Sequence, residues 1–317
     1  MTILARLEKW EREGVISLAQ HERLAGLCRG EPFSVFLELN LLLYGGVLAF
    51  IAGLGWTVGT WSEQIGDVLV LSALSAILAA CAWYCFSRAP SWSFAQTPSP
   101  TLVFDYVLYL GCLTWSIELA YLESRFHLNS GQWDVYLLAT AGLFFFLAYR
   151  LDNRFVLTLA LSSLAGYFGI LLSRWPSLQN ETYRECGVLY SLLVAAGGIL
   201  LERNRLKPHF FNTYLNVAAN VLFLASLSGI FDYRNRRSYS MWLLALLFVC
   251  ALSLFWGLTR RQFSFVAYAA VYGYVGVSFV LIRHLRGDTT ILSYFVITGI
   301  AMLVLLVVIA RRFGRQE

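Results

Sequence analysis

Residues 291–310, ILSYFVITGIAMLVLLVVIA, form an uninterrupted apolar segment without a charged side chain. A helix of about 20 residues crosses the hydrocarbon core of a bilayer, so this segment predicts a transmembrane helix. Nine other segments share its apolar character: 39–61, 67–86, 102–122, 133–149, 154–173, 187–201, 211–230, 240–258 and 263–282. The sequence therefore predicts an all-α integral membrane protein with about ten transmembrane helices.

The composition excludes an ordinary soluble domain. Hydrophobic residues make up 58% of the chain and charged residues 14%, whereas soluble domains carry about 25% charged residues. The six cysteines have no zinc-site or disulfide spacing, and no phosphate-binding loop, paired-histidine motif or catalytic triad order occurs. We therefore expect no catalytic residues, no metal ligands and no cofactor.

The basic residues predict the orientation of the spans. With ten spans, sixteen of the 24 Lys and Arg residues fall on the side that holds both termini, and eight fall on the other side. Cytoplasmic loops of membrane proteins carry an excess of Lys and Arg. Both termini are therefore predicted to be cytoplasmic.

The first 32 residues differ from the rest and predict a short amphipathic helical hairpin in the cytoplasm. Its first helix has apolar residues on one face, at Ile3, Leu4, Leu7 and Trp10. Gly14 would end this helix, and Ser17 with Gln20 forms a capping box for a second one. So short a segment cannot bury a core alone, so we expect it to pack on the 33–317 bundle, the membrane surface or a partner. Its interleaved acidic residues argue against nucleic-acid binding.

Polar side chains within predicted spans are candidate functional groups, because hydrocarbon makes them costly. The candidate polar cavity comprises Asn212, Asn216, Asn220, Glu118, Asp105 and Tyr272. The three Asn residues are spaced by four and share one face of a helix. They could line a wet cavity, or they could form hydrogen bonds between helices. Asp105 could equally be a helix N-terminal charge that the dipole favours.

A second group of polar residues lies near the predicted exoplasmic end of the third span. Glu118, Glu123, His127 and Asp134 are close in sequence. Carboxylates with a histidine could bind a metal ion or relay protons. Ordinary interfacial carboxylates are the alternative interpretation.

Two parts of the sequence resemble a known family. The pattern begins with LEKW at 7–10, GVIS at 14–17 and LLYGG at 42–46, and continues with FDY at 104–106 and LAYRLDNRF at 147–155. Together these stretches resemble the bacterial family of predicted membrane proteins called domain of unknown function 2157, over roughly the first half of the chain. The resemblance implies a bacterial inner-membrane protein and carries no established activity.

Three functional hypotheses follow. The first is transport or lipid handling through a polar or amphipathic intramembrane cavity, with membrane lipids as partners. The second is a membrane scaffold or sensor without catalytic activity that binds a protein partner, or itself, through the N-terminal hairpin. The third is an intramembrane metal-dependent enzyme at the carboxylates near His127.

Overall fold

The computed structural model describes residues 3–15, 17, 20–21, 36–127, 133–173, 180–231, 236–282 and 288–314. Every regular element among these residues is helical, which confirms the predicted all-α class. The α-helices are α1 (Ile3–Arg12), α2 (Phe36–Ile65), α3 (Asp67–Ser87), α4 (Leu102–Phe126), α5 (Trp133–Leu151), α6 (Arg154–Ser173), α7 (Asn180–Arg203), α8 (Phe211–Phe231), α9 (Arg236–Thr259), α10 (Phe263–Ile282) and α11 (Asp288–Gly314). A 3₁₀ turn, Pro208–Phe210, precedes α8.

Each predicted span coincides with one of the helices α2–α11. In the described part of the chain, the nine helices α3–α11 are long and apolar enough to cross a membrane. The remaining one, α2, contains the apolar stretch Gly45–Thr57. The predicted segment 187–201 is shorter than its helix, α7, because the helix begins in polar residues at Asn180.

The chain separates into two compact units, Met1–Val70 and Leu71–Glu317. In the first unit, Gly14 has a φ of 69° just after α1. The capping box predicted at Ser17 is present: its backbone N–H donates to Gln20 Oε1 (2.9 Å), and the Gln20 N–H donates to Ser17 Oγ (3.3 Å). Residues 22–32 lie outside the described residues, so the second helix, the boundary at 32 and the partner-binding role stay predictions.

In the second unit, α7, α8, α9 and α10 pack in succession, and α5 packs against α6. A buried core joins α8 to α9 and α10. Its members are Phe223, Leu227, Ile230, Trp242, Leu246, Val249 and Ala269. The last helix, α11, contacts α10 through the Tyr274–Thr298 and Ser278–Tyr294 hydroxyl pairs. None of its spanning window is buried against the described residues, which leave its apolar surface uncovered.

Glycine allows the closest helix approaches in this unit. A Cβ atom at Gly229 of α8 would lie 2.1 Å from the ring of Trp242 on α9, and one at Gly276 of α10 would lie 2.3 Å from Leu246. Small residues let helix backbones approach in membranes, where dispersion between close surfaces drives association. These two glycines therefore set the spacing of α8, α9 and α10.

Candidate functional site

A buried ion-pair cluster joins two connecting loops at one end of the second unit. Asp152, in the turn between α5 and α6, lies 3.4 Å from the Lys207 ammonium through its Oδ1 atom, and the same oxygen contacts His209 Nε2. The side chains of Asp152 and Lys207 are only 2% and 3% exposed. We call these three residues the Asp152 joint, and the end of the bundle that holds them the Asp152 end.

Both members of the ion pair have a left-handed backbone conformation. Asp152 has a φ of 57° and Lys207 a φ of 46°. Glycine usually occupies such positions, because a Cβ atom makes them less favourable. The two residues carry this local backbone cost at the place where their side chains form the ion pair.

The segment that connects α3 to α4 folds over the joint. The Thr97 N–H donates to Asp152 Oδ2 (2.6 Å), and the Lys207 ammonium lies 4.9 Å from the centre of the Trp92 ring. Arg150 donates to the Pro90 carbonyl at 2.9 Å. Three connections that are distant in sequence therefore meet around one carboxylate.

Asp105 belongs to the same end of the bundle. Asn153 Nδ2 donates to Asp105 Oδ1 (2.9 Å), and Ser99 Oγ donates to the same oxygen (2.8 Å). The Asn153 side chain also caps α6, because its Oδ1 accepts from the backbone N–H groups of Phe155 and Val156. Asp105 lies in the first turn of α4, where the helix dipole favours a carboxylate.

Asn212, Asn216 and Asn220, which we call the asparagine stripe, lie on α8 and face the beginning and middle of α10. Gln262 donates to Asn212 Oδ1 (2.9 Å), and the Tyr272 hydroxyl donates to Asn220 Oδ1 (2.8 Å). The Asn220 amide donates to the Asn216 carbonyl, one turn earlier. Asn216 Oδ1 is buried and accepts no hydrogen bond within the described structure. Asn220 therefore joins α8 to α10, and Asn212 joins α8 to the turn before α10.

The predicted cavity residues have three separate sets of hydrogen-bond partners, and Glu118 bonds to α3. Its Oε1 atom accepts from Ser75 on α3 (2.6 Å), and its Oε2 atom is buried without a hydrogen bond from a described group. No three His, Cys, Asp or Glu side chains among the described residues are close enough to hold a metal ion, and Glu118, Glu123, His127 and Asp134 are all described. The geometry therefore gives no support to a metal centre there.

A cavity of about 530 Å³ opens between α7 and α9, with α8 at its base. Most of its lining is apolar and includes Leu192 and Ile199 of α7, Leu215 and Leu222 of α8, and Leu252 and Trp256 of α9. The six residues of the predicted polar cavity do not line it. Ser191 and Ser253 do, but their hydroxyls donate to the carbonyls of Val188 and Phe265.

One end of this cavity carries charge and lies at the Asp152 end. Glu202 and Arg203, at the end of α7, line it together with Phe211 and Trp256. The guanidinium of Arg260 lies 5.2 Å from the centre of the Trp256 ring. Trp256 Nε1 is buried, and no described residue accepts a hydrogen bond from it. We call this charged end the cavity mouth.

Sequence reasoning missed both the Asp152 joint and the cavity between α7 and α9. His209, at a span end, is most simply interpreted from sequence as solvated, yet its side chain is 8% exposed and contacts Asp152. The local signal was the Asp-Asn pair at 152–153 and the Lys-Pro-His stretch at 207–209, both directly between helices. The cavity had no local signal, because its lining comes from separate helices.

These features define a multi-pass helical membrane protein. Residues 8–157 match the family model described as predicted membrane protein, DUF2157, which confirms the resemblance over roughly the first half of the chain. Asp105, Asp152 and Asn153 fall within the matched segment, whereas the α7–α9 cavity lies beyond it. No curated protein and no solved structure gives a significant match to this chain.

Proposed function

We propose that this membrane protein handles lipid, by holding one acyl chain in the cavity between α7, α8 and α9. The observation that carries the proposal is the apolar lining of a 530 Å³ cavity between membrane-spanning helices. Ligand pockets usually enclose about 300–1,000 Å³, so the volume suits one hydrocarbon chain. Water has few partners there, because most of the lining is apolar.

The length of the cavity supports an acyl chain as the ligand. Its lining on α8 runs from Phe211 to Phe223, which corresponds to about 18 Å along a helix. One leaflet of a bilayer contributes about half of a hydrocarbon core that is roughly 30 Å thick. The cavity therefore has the depth of one leaflet, with its charged mouth at the level of the headgroups.

The contacts of the asparagine stripe favour lipid handling over passage of a polar solute. Asn220 Oδ1 accepts from Tyr272 of α10, and Asn212 Oδ1 accepts from Gln262 just before α10, so both oxygens already have protein partners. The bias of Lys and Arg supports placing the Asp152 end in the cytoplasm of a bacterium. The bound lipid would then come from the inner leaflet of the cytoplasmic membrane.

Filling the cavity tests the proposal. Ala195 lines it, whereas its neighbour Ala196 is exposed on α7 and is absent from the lining. Native mass spectrometry of detergent-purified protein should show one retained lipid on wild type and on Ala196→Trp. Ala195→Trp should lose that lipid, because the indole occupies the acyl-chain volume. Equal retention by both variants, or no retained lipid on wild type, would contradict lipid binding at this cavity.

A further inference from the structure

The cavity mouth presents hydrogen-bond donors and positive charge that an acyl chain alone does not use. Trp256 Nε1 is a buried donor with no described acceptor. A buried N–H without a partner costs about 1–3 kcal/mol, so this position favours a ligand that supplies an oxygen. The Ser191 and Ser253 hydroxyls, which donate to the carbonyls of Val188 and Phe265, do not accept from it in this structure.

Two arginines lie at the mouth, one at the end of α7 and one beside Trp256 just after α9. Arg203 ends α7 and lines the cavity, and Arg260 follows α9 with its guanidinium over the Trp256 ring. Guanidinium groups bind phosphate oxygens through paired N–H donors. Glu202 also lines the mouth, so the three charged groups leave one net positive charge for an anionic ligand.

The positions of these groups match neighbouring parts of a phospholipid. The Arg260 guanidinium lies 5.2 Å from the centre of the ring that carries the Trp256 N–H donor. In a phospholipid, ester carbonyls lie just below the phosphate on the hydrocarbon side. We propose, on the basis of the lipid-handling function above, that the mouth selects a phospholipid with a net anionic headgroup. Arg203 and Arg260 bind its phosphate, and Trp256 Nε1 donates to an ester carbonyl.

Competition between two phospholipids with identical acyl chains tests this selection. The purified full-length protein is placed in mixed micelles that contain equal amounts of phosphatidylglycerol and phosphatidylcholine, and the retained lipid is identified by native mass spectrometry. The wild-type protein should retain phosphatidylglycerol in preference to phosphatidylcholine. Arg203→Gln and Arg260→Gln should each reduce that preference about fivefold, the value of one cation near an anionic lipid surface.

Two further variants separate selection of the headgroup by charge from the overall retention of lipid. Glu202→Gln removes the only acid at the mouth among the described lining residues, so it should increase the anionic preference while Arg203→Gln decreases it. Trp256→Phe should weaken retention of both lipids equally, because each has ester carbonyls and the headgroup contacts remain. Thermal unfolding of every variant checks that the bundle stays folded.

The outcomes distinguish this inference from the function on which it rests. Retention of lipid without headgroup preference, or an unchanged preference in both arginine variants, would overturn the headgroup assignment and leave acyl-chain binding intact. Retention of a free fatty acid instead of either phospholipid would also overturn it. Loss of all lipid from wild type would overturn the proposed function itself.

Discussion

Replacing Asp152 by Asn tests whether one carboxylate holds three connections together. The substitution keeps the size of the side chain, and Asn tolerates the left-handed conformation at this position. It also keeps an oxygen that can accept from the Thr97 N–H. Its main effect is to leave the ammonium of Lys207, which is 3% exposed, without a counter-ion.

The expected magnitude follows from the surroundings of Lys207. Removing one partner of a buried ion pair costs about 3–5 kcal/mol. The rings of Trp92 and Phe210, at 4.9 and 5.7 Å from the ammonium, remain and compensate part of this loss. We therefore expect a loss of about 3 kcal/mol, at the lower end of that range. For a chain of 317 residues, the average unfolding entropy per residue converts this loss into a decrease in Tm of about 4–5 °C.

The assay is thermal unfolding of the detergent-purified protein, followed by circular dichroism. Glu185→Gln is the matched control, because it removes an exposed carboxylate from α7 and should change stability by less than about 0.5 kcal/mol. The double variant Asp152→Asn/Lys207→Met should recover most of the lost stability, since it removes the buried charge as well. The reasoning would be refuted by a Tm for Asp152→Asn equal to that of the control. A double variant no more stable than Asp152→Asn would refute it as well.

Two other substitutions test the packing of α8, with Tm as the measurement. Tyr272→Phe keeps the stacking of the ring on Phe223 of α8 but removes the hydroxyl that donates to Asn220. The free energy of unfolding should therefore fall by about 1 kcal/mol. An unchanged Tm would mean that this hydrogen bond does not stabilise the contact between α8 and α10. Gly229→Ala places a methyl group against Trp242 and should cost about 1–3 kcal/mol. Gly142→Ala meets no atom within 4 Å and should be neutral or stabilising by up to about 1 kcal/mol; equal effects at the two glycines would contradict the assigned close approach.

The transmembrane helices and the capping box could be predicted, because local sequence determines both. Each apolar segment must form its own backbone hydrogen bonds in a bilayer, so residues such as 291–310 predict a spanning helix without reference to the rest of the chain. The capping box at Ser17 and Gln20 is also local, because its two side chains bond backbone groups three residues apart. Helix ends were less predictable, since polar residues at the start of α7 continue the helix beyond its apolar run.

The site depends on contacts that the sequence does not specify. Asp152 and His209 are 57 residues apart, and either could have been a solvated loop residue. The spacing of the three Asn residues on α8 is the same whether Asn220 lines a channel or bonds to Tyr272. Only the position of α10 distinguishes these two cases. The cavity likewise depends on α7 and α9 both packing on α8, because nothing in their separate apolar sequences indicates the gap between them.

Photo-crosslinking with a phospholipid that carries a diazirine in its acyl chain tests most directly whether the cavity holds a lipid. The lipid is added to the purified protein near equal molar amounts, excess is removed by detergent washing, and labelled peptides are mapped after illumination. If the cavity holds a lipid, labelling should be retained at cavity residues such as Ala195 and Leu222 and lost at Leu303 on the exposed surface of α11. Equal labelling of α11 and the cavity, or labelling of α11 alone, would contradict a specific acyl-chain site between α7, α8 and α9.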